Sequence, residues 1–320
     1  MQPEPFFAGA KSDCLGFMES IAAQIAATDV ELTNRLSASA RASAYLELTK
    51  PRITFLVVLT AVAGFCMASG TIDLVRLLNM SLGIALLSSG ISTLNQYMER
   101  DLDRLMRRTQ DRPLPSGRLT PGEALLFGST LSAIALGYLA LTVNPLSAVL
   151  GVATLAAYLF VYTPLKTRTT LSTVLGAFPG AMPPFIGWAA ARGEITIEAW
   201  VLFAILFLWQ FPHFLAIAWM YRDDYASAGI KMLPVVEPEG RVTGQQIVTY
   251  TLLLIPVSLF PVLVNLAGSV YLVGASVIGV VFLYYSARAA LVRTTWQARK
   301  LLLASVLYLP ILFALMVMSR

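Results

Sequence analysis

The sequence predicts an all-α integral membrane protein with about nine transmembrane helices. Of its 320 residues, 57% are hydrophobic and 13% are charged, whereas soluble domains carry roughly 25% charged residues. The mean hydropathy is +0.71. The chain also contains nine apolar segments, each near the ~20 residues that cross a ~30 Å bilayer core. These segments exclude a pair of soluble domains, which the chain length alone would permit.

The first 48 residues are mixed and polar, and acidic residues such as Asp13, Glu19 and Asp29 are scattered through them. This pattern fits neither a secretory signal nor a mitochondrial transit peptide. We therefore predict an N-terminal cytoplasmic tail over 1–48, partly disordered or interfacial, with a helix near 38–48. A transmembrane domain then covers 49–320, and Pro51 is suited to the first turn of its first helix.

The links between the apolar segments differ in charge. Basic residues crowd the links after spans two, four, six and eight, whereas the alternate links hold little beyond Arg76 and Arg192. The positive-inside rule therefore places the N-terminus and the basic links in the cytoplasm. The acidic tail favours a bacterial inner membrane over the mitochondrial inner membrane. The nine segments are 53–71, 77–97, 121–142, 145–163, 172–190, 197–220, 246–266, 270–289 and 300–318.

Composition excludes several other classes of protein. The two cysteines, Cys14 and Cys66, form no disulfide framework. The single histidine, His213, excludes a metal cluster built from histidines. The net charge of +5 comes from arginines in the links, and no basic block stands clear of the membrane, so we expect no nucleic-acid partner.

A polar motif follows the second apolar segment. Asn95, Glu99 and Asp103 are spaced i, i+4 and i+8, which places them on one helical face. Two carboxylates and an amide are hard oxygen ligands, which Mg²⁺ takes while leaving room for phosphate oxygens. The alternative is a solvated helix end whose acids pair with Arg100 and Arg104.

The link after the sixth span carries Asp223 and Asp224, which either complete a metal–diphosphate site or pair with neighbouring basic residues. His213 lies within that sixth span, where it either bonds a neighbouring helix or serves as a haem-iron ligand or proton carrier. Lys166 and Arg168 end span four and are either anion ligands or positive-inside anchors. The segment 176–184 holds three prolines, so we expect span five to be broken where it lines a substrate chamber.

Several separate stretches resemble the UbiA-type intramembrane prenyltransferases. The motif that begins at Asn95 and continues through 106–118 is similar to that family's first signature, and the match covers roughly 45–320. The stretches 49–52, 162–166, 212–214 and 224–236 resemble the branch that farnesylates protohaem IX. Across the superfamily the second acidic motif has two aspartates four residues apart, whereas here Ala228 stands four residues after Asp224.

The resemblance implies a central cavity capped on the cytoplasmic side and a farnesyl transfer from farnesyl diphosphate to a vinyl group of haem B. Its cofactor is Mg²⁺, and the partners implied are the two substrates, the lipid bilayer and a downstream haem A synthase or oxidase assembly. The resemblance implies metal ligands at Asn95, Glu99, Asp103, Asp223 and Asp224, and diphosphate ligands at Arg107, Arg112, Lys166 and Arg168. It implies haem ligands at His213, Arg52 and Arg222. The catalytic residues that it implies are Asn95, Glu99, Asp103, His213 and Asp224.

Two other functions are compatible with the sequence. Another member of the same superfamily would prenylate a quinone or chlorin precursor. A secondary transporter is the alternative from a different class, because a broken span and intramembrane polar groups also occur in transporters.

Overall fold

The computed structural model describes residues 37–319, so residues 1–36 of the tail predicted over 1–48 lie outside this range. Within it the chain is helical without strands, and nine helices are long and apolar enough to cross a membrane. The predicted fold class is confirmed. A short helix, α1 (Ala38–Leu48), precedes the first six spans, which are α2 (Pro51–Ala68), α3 (Leu74–Arg104), α4 (Pro121–Thr142), α5 (Pro145–Leu165), α6 (Ser172–Arg192) and α7 (Ile197–Met220). Two short helices follow, α8 (Arg222–Ser227) and α9 (Leu233–Val236). The last three spans are α10 (Arg241–Leu263), α11 (Ser269–Val292) and α12 (Thr295–Met318).

Local sequence explains where several helices begin. Thr120 and Glu123 form a reciprocal capping box around Pro121, which supplies the fixed φ that a first turn needs. Asn144 caps α5 by accepting from the Ser147 N–H at 2.8 Å. These short polar caps satisfy backbone donors that lipid could not satisfy.

The centre of the bundle is formed by α6 and α7. Their apolar windows are 72% and 61% buried within the protein, whereas the other spans have 28–39% of theirs buried. Helix α6 packs against α2, α5 and α7, and α7 packs against α10 and α12. The outer helices therefore present most of their surface to lipid.

Two glycines bring α2 and α6 into backbone contact. A Cβ placed on Gly64 would lie 2.1 Å from the Pro184 carbonyl oxygen, and one on Gly187 would lie 1.9 Å from the Ala61 carbonyl oxygen. Small residues allow membrane helices to approach closely, because lipid supplies no hydrophobic force to drive them together.

Gly187→Ala is expected to destabilise the fold by roughly 3 kcal/mol, because the new methyl group meets backbone that cannot rotate away. Thermal unfolding of the purified protein in detergent measures the effect. Gly137→Ala is the matched control, since a Cβ at that position has nothing within 4 Å. Equal melting temperatures for the two variants would contradict the close packing of α2 and α6.

The expectation that span five is broken is wrong. Helix α6 runs without interruption from Ser172 to Arg192 with Pro179, Pro183 and Pro184 inside it. Neighbouring helices surround α6, and such burial allows prolines to remain within a membrane helix. The irregular backbone lies instead in α5, where 157–162 form a π-helical turn.

Three basic links meet at one end of the bundle, which we call the arginine-rich end (links 105–120, 166–171 and 221–240). The Lys231 N–H donates to the Lys166 carbonyl oxygen at 2.8 Å, and Ser227 Oγ donates to the Leu105 carbonyl oxygen at 2.8 Å. Helix α1 packs on this end as well, since the buried Leu48 accepts a hydrogen bond from Gln96 Nε2 at 2.8 Å.

Candidate functional site

The polar motif of α3 lies inside the protein at the arginine-rich end. Helix α3 continues past the lipid-exposed segment to Arg104, so Asn95, Glu99 and Asp103 occupy successive turns of one face. Their exposed fractions are 2%, 7% and 1%. Carboxylates buried this deeply require cationic partners, because an unpaired buried charge is strongly destabilising.

The partner of Glu99 is Lys166, which follows α5. Lys166 Nζ lies 2.6 Å from Glu99 Oε1 and 4.5 Å from the centre of the Tyr162 ring. Burial alone would lower the pKa of Lys166, but Glu99 and the tyrosines Tyr162 and Tyr158 raise it well above its usual value. Lys166 therefore remains a cation beside this carboxylate.

The partner of Asp103 is Arg112, in the link that follows α3. Arg112 NH1 donates to both Asp103 carboxylate oxygens, at 2.9 and 2.7 Å. Thr109 Oγ1 donates to the main-chain oxygen of Asp103 at 2.9 Å, which folds the link back over the helix end. The fold of the link thus places Arg112 beside the buried face of α3.

Asn95 is oriented by the π-helical turn of α5. Thr163 Oγ1 donates to the Tyr158 carbonyl oxygen at 2.9 Å, so this hydroxyl accepts from Asn95 Nδ2 at 3.2 Å. The amide nitrogen of Asn95 is thereby occupied, which leaves its oxygen for a ligand. Sequence reasoning did not identify this support; its signal is Pro164, which lacks an N–H and disturbs the helical hydrogen bonding around it.

Lys50 is a further charged residue that sequence reasoning left without a role. It precedes α2 with a left-handed φ of 47°, a conformation that costs energy outside glycine. Burial, followed by the positive charge of Arg112, lowers the pKa of Lys50 to about 8, and Glu99 and Asp103 are also within electrostatic range. Three cations therefore surround two carboxylates, and the cluster has a net positive charge.

The second basic link contacts the first through Arg108. The Arg108 N–H donates to Asp224 Oδ2 at 3.3 Å, and its guanidinium donates to the Tyr225 hydroxyl at 3.1 Å. The structure thus brings Asp224 to the first link. It does not bring Asp223 there, because the Asp223 side chain is 98% exposed and its ion pair, at 3.6 Å, is with Arg222.

The other predicted anion ligands lie around this cluster without joining it. They are exposed at the arginine-rich end and make no ion pair with Glu99 or Asp103 among the described residues. Long basic side chains of this kind could turn toward an anion that enters between the links. These residues are Arg52, Arg107, Arg168 and Arg222.

His213 lies where α7 packs on α12. Its Nδ1 is 2.8 Å from Ser305 Oγ, and its ring stacks on Trp209 with centroids 4.7 Å apart. Ser305 Oγ donates to the Leu302 carbonyl oxygen, so it accepts from His213 Nδ1–H. When the ring is neutral, Nε2 carries its lone pair. The contacts described for His213 do not include Asn95, Glu99 or Asp103.

The donor set of this site can be compared with what Mg²⁺ requires. Between residues 37 and 319 no group of three or more His, Cys, Asp or Glu side chains is placed to hold a metal. Mg²⁺ nevertheless needs only one or two carboxylates when phosphate and water complete its shell. The carboxylates of Glu99 and Asp103 fit that requirement together with the amide oxygen of Asn95, which accepts no hydrogen bond from the described part of the chain.

Comparison with known proteins shows which family has this sequence pattern. A sequence profile of the UbiA prenyltransferase family matches residues 57–316. A protoheme IX farnesyltransferase of Solibacter usitatus is 55% identical over 286 residues, which cover 86% of this chain and 98% of that protein.

Two solved structures share the fold. One, of a digeranylgeranylglyceryl phosphate synthase, has a TM-score of 0.73 at 17% identity and covers 87% of this chain and 98% of its own. The other is a UbiA homologue of Archaeoglobus fulgidus bound to GPP and Mg²⁺, with a TM-score of 0.61 at 18% identity and coverage of 85% and 99%.

Proposed function

Because this chain belongs to the UbiA prenyltransferase family, we propose that it transfers a farnesyl group from farnesyl diphosphate to a vinyl group of haem B, forming haem O. The acceptor follows from the 55% identity to a protoheme IX farnesyltransferase. The observation that carries the chemistry is the buried charge cluster of Glu99, Asp103, Lys166, Arg112 and Lys50.

The diphosphate is bound at the arginine-rich end. Asn95, Glu99 and Asp103 would hold Mg²⁺, which would supply positive charge to the leaving oxygens. Asp224 extends this ligand set from the second link, and Asp223 would have to move to reach it. Beside these ligands, Lys166 and Arg112 would hold the phosphate oxygens in place of the ion pairs that they now make with Glu99 and Asp103.

The remaining basic residues close the diphosphate site. Arg107 and Arg168 are exposed on two different links, so each reaches the diphosphate from its own side. Lys50 adds a third cation within electrostatic range of Glu99 and Asp103. Charge that is already in place when the C–O bond breaks stabilises the developing diphosphate without further reorganisation.

The transfer proceeds by breaking the bond between farnesyl C1 and the diphosphate oxygen, whose electron pair leaves with the diphosphate. The terminal vinyl carbon gives its electron pair to C1 and forms the new C–C bond. The positive charge then lies on the carbon next to the macrocycle, where water adds and loses a proton. The low-dielectric interior of the bundle protects the allylic cation from bulk water.

The residues proposed for the acceptor come from the start of α2, from α7 and from the short helix that follows it. Arg52 and Arg222 are exposed cations that match the haem propionates. The lone pair on His213 Nε2 suits either a ligand of the haem iron or the acceptor of the water proton. Asp224 is the second candidate for that proton acceptor.

The protein is a multi-pass membrane protein. We place the arginine-rich end in the cytoplasm of a bacterial cell, with the bundle in the inner membrane, on the basis of the charge asymmetry of the links. A downstream haem A synthase or oxidase assembly would take the product. Farnesyl partitions into the bilayer at roughly 0.8 kcal/mol per buried CH₂, so one substrate reaches the bundle from the lipid.

Membranes that contain the full chain are supplied with farnesyl diphosphate and either haem B or 4-hydroxybenzoate. The expected product is haem with a hydroxyethylfarnesyl arm, identified by its mass, and it should form only in the presence of haem B. Product from 4-hydroxybenzoate alone would overturn the haem assignment. Substrate flux that survives Glu99→Gln without any transfer would support a transporter instead.

A further inference from the structure

A cavity lies at the end of the bundle opposite the arginine-rich end. Its volume is about 440 Å³, and it opens between the ends of α2, α3 and α6. Arg76 of its lining and Glu99 are 23 residues apart on α3, which corresponds to about 35 Å at 1.5 Å per residue. A ligand in this cavity is therefore remote from the buried charge cluster.

The cavity concentrates the basic residues of this end. Arg76 and Arg192 both line it, and no other lysine or arginine in the described range 37–319 lies in or beside the links of this end. Basic residues are disfavoured on the outer side of membrane proteins, so two that converge on one cavity require a local reason.

Arg192 is held in a fixed orientation. Its Nε donates to the Ala68 carbonyl oxygen at 3.0 Å, and its guanidinium lies 5.5 Å from the centre of the Trp188 ring. Its terminal nitrogens make no hydrogen bond or ion pair with any residue of 37–319, so they can bind a ligand. A guanidinium positioned in this way presents its donors as a fork that suits an oxyanion.

The charge of the cavity defines the class of anion. Asp73 is the single carboxylate in the lining, and it accepts from the Arg76 N–H at 3.0 Å as the cap of α3. With Arg76 and Arg192 it gives the cavity a net charge of +1. Glu198 is within electrostatic range of Arg192 but forms no ion pair with it among the described residues. A singly charged anion matches this site.

The cavity has an apolar floor and a charged rim, the rim being Asp73, Arg76 and Arg192. The floor is formed by Phe65, Ala68 and Ala191, which lie at or just before the ends of α2 and α6. The rim stands at the helix ends, where a bilayer places the phosphates of its lipids. From the cavity, its charge and this floor, we propose that the site binds the phosphodiester of one phospholipid of this leaflet, with its glycerol end over the apolar floor.

Lipid titration of the delipidated full chain, followed by native mass spectrometry, tests the proposal. Wild-type protein should retain one dihexanoyl-phosphatidylglycerol at a concentration about tenfold lower than the Arg76→Gln/Arg192→Gln double variant requires. Arg299→Gln, an exposed arginine at the arginine-rich end, is the control and should behave as wild type. Equal affinity in the double variant, or an equal loss in the control, would overturn the site.

Asp73→Asn should change the affinity for phosphatidylglycerol in the opposite direction. Asparagine caps helices as well as aspartate does, so α3 keeps its start while the cavity gains one positive charge. Phosphatidylglycerol binding should become tighter, and unchanged or weaker binding would contradict the proposed role of cavity charge. Glycerol 3-phosphate serves as a competitor: failure to displace the lipid supports the apolar floor, whereas displacement at equal concentration would overturn the lipid assignment in favour of a soluble phosphate.

Discussion

Glu99→Gln is expected to lower the rate of farnesyl transfer by about 10²–10³-fold, the loss typical of removing one electrostatic group that acts on a leaving charge. The substitution keeps the size of the side chain but removes a carboxylate ligand for the metal. It also removes the partner of Lys166, whose ammonium lies 2.6 Å from Glu99. Initial rates with saturating farnesyl diphosphate and haem B measure the effect.

The control for that experiment is Glu47→Gln at the same end of the bundle. Glu47 forms an exposed ion pair with Arg118 at 2.8 Å, and such surface pairs contribute about 1 kcal/mol or less. Glu99→Asp should recover part of the rate, since it restores the charge at a shorter reach. A Glu99→Gln enzyme that turned over at the wild-type rate would remove this residue from the chemistry.

Arg112→Gln is expected to destabilise the metal-free protein by about 3 kcal/mol, because it leaves the carboxylate of Asp103 buried without a partner. Magnesium should restore much of this loss, since a bound cation replaces the missing charge and stabilises the state that binds it. Thermal unfolding with and without Mg²⁺ measures both effects.

Two further variants isolate the ion pair. Arg118→Gln removes a surface arginine and should change the melting temperature little. Asp103→Asn combined with Arg112→Gln removes both charges, so the double variant should be more stable than Arg112→Gln alone. If Mg²⁺ failed to raise the melting temperature of Arg112→Gln, Asp103 would not be a metal ligand.

Much of this architecture could be predicted because lipid imposes strict requirements on a spanning chain. The span predicted over 121–142 coincides with α4, and that over 197–220 coincides with α7. The helix predicted near 38–48 is α1. The apolar segment predicted over 77–97 lies within α3, which continues to Arg104 with the predicted helical face of Asn95, Glu99 and Asp103, because protein and not lipid surrounds that face.

The irregular backbone could not be assigned in the same way. Three prolines predicted a break in span five, yet α6 is continuous. A single proline, Pro164, accompanies the π-helical turn of α5 that orients Asn95. Whether a proline bends a helix depends on the neighbours that receive its released hydrogen bonds, and these neighbours are tertiary contacts.

The ion pairs between distant parts of the chain could not be predicted from the sequence either. The spacing of Glu99 and Asp103 predicted their shared face, but Lys166 and Arg112 reach them from two separate links. Sequence spacing does not show which of the neighbouring residues Asp223 and Asp224 faces the first link. The structure shows that it is Asp224, which accepts a hydrogen bond from the Arg108 N–H. Such contacts depend on how the links fold over the bundle end.

Calorimetric binding of an unreactive farnesyl thiolodiphosphate to the wild-type protein and Glu99→Gln, with and without Mg²⁺, tests most directly whether Glu99 and its neighbours hold a metal against the diphosphate. Magnesium should tighten binding to the wild type by about tenfold or more and should have little effect on Glu99→Gln. Equal affinity for the wild type with Mg²⁺ and in excess chelator would contradict the proposed metal–diphosphate site.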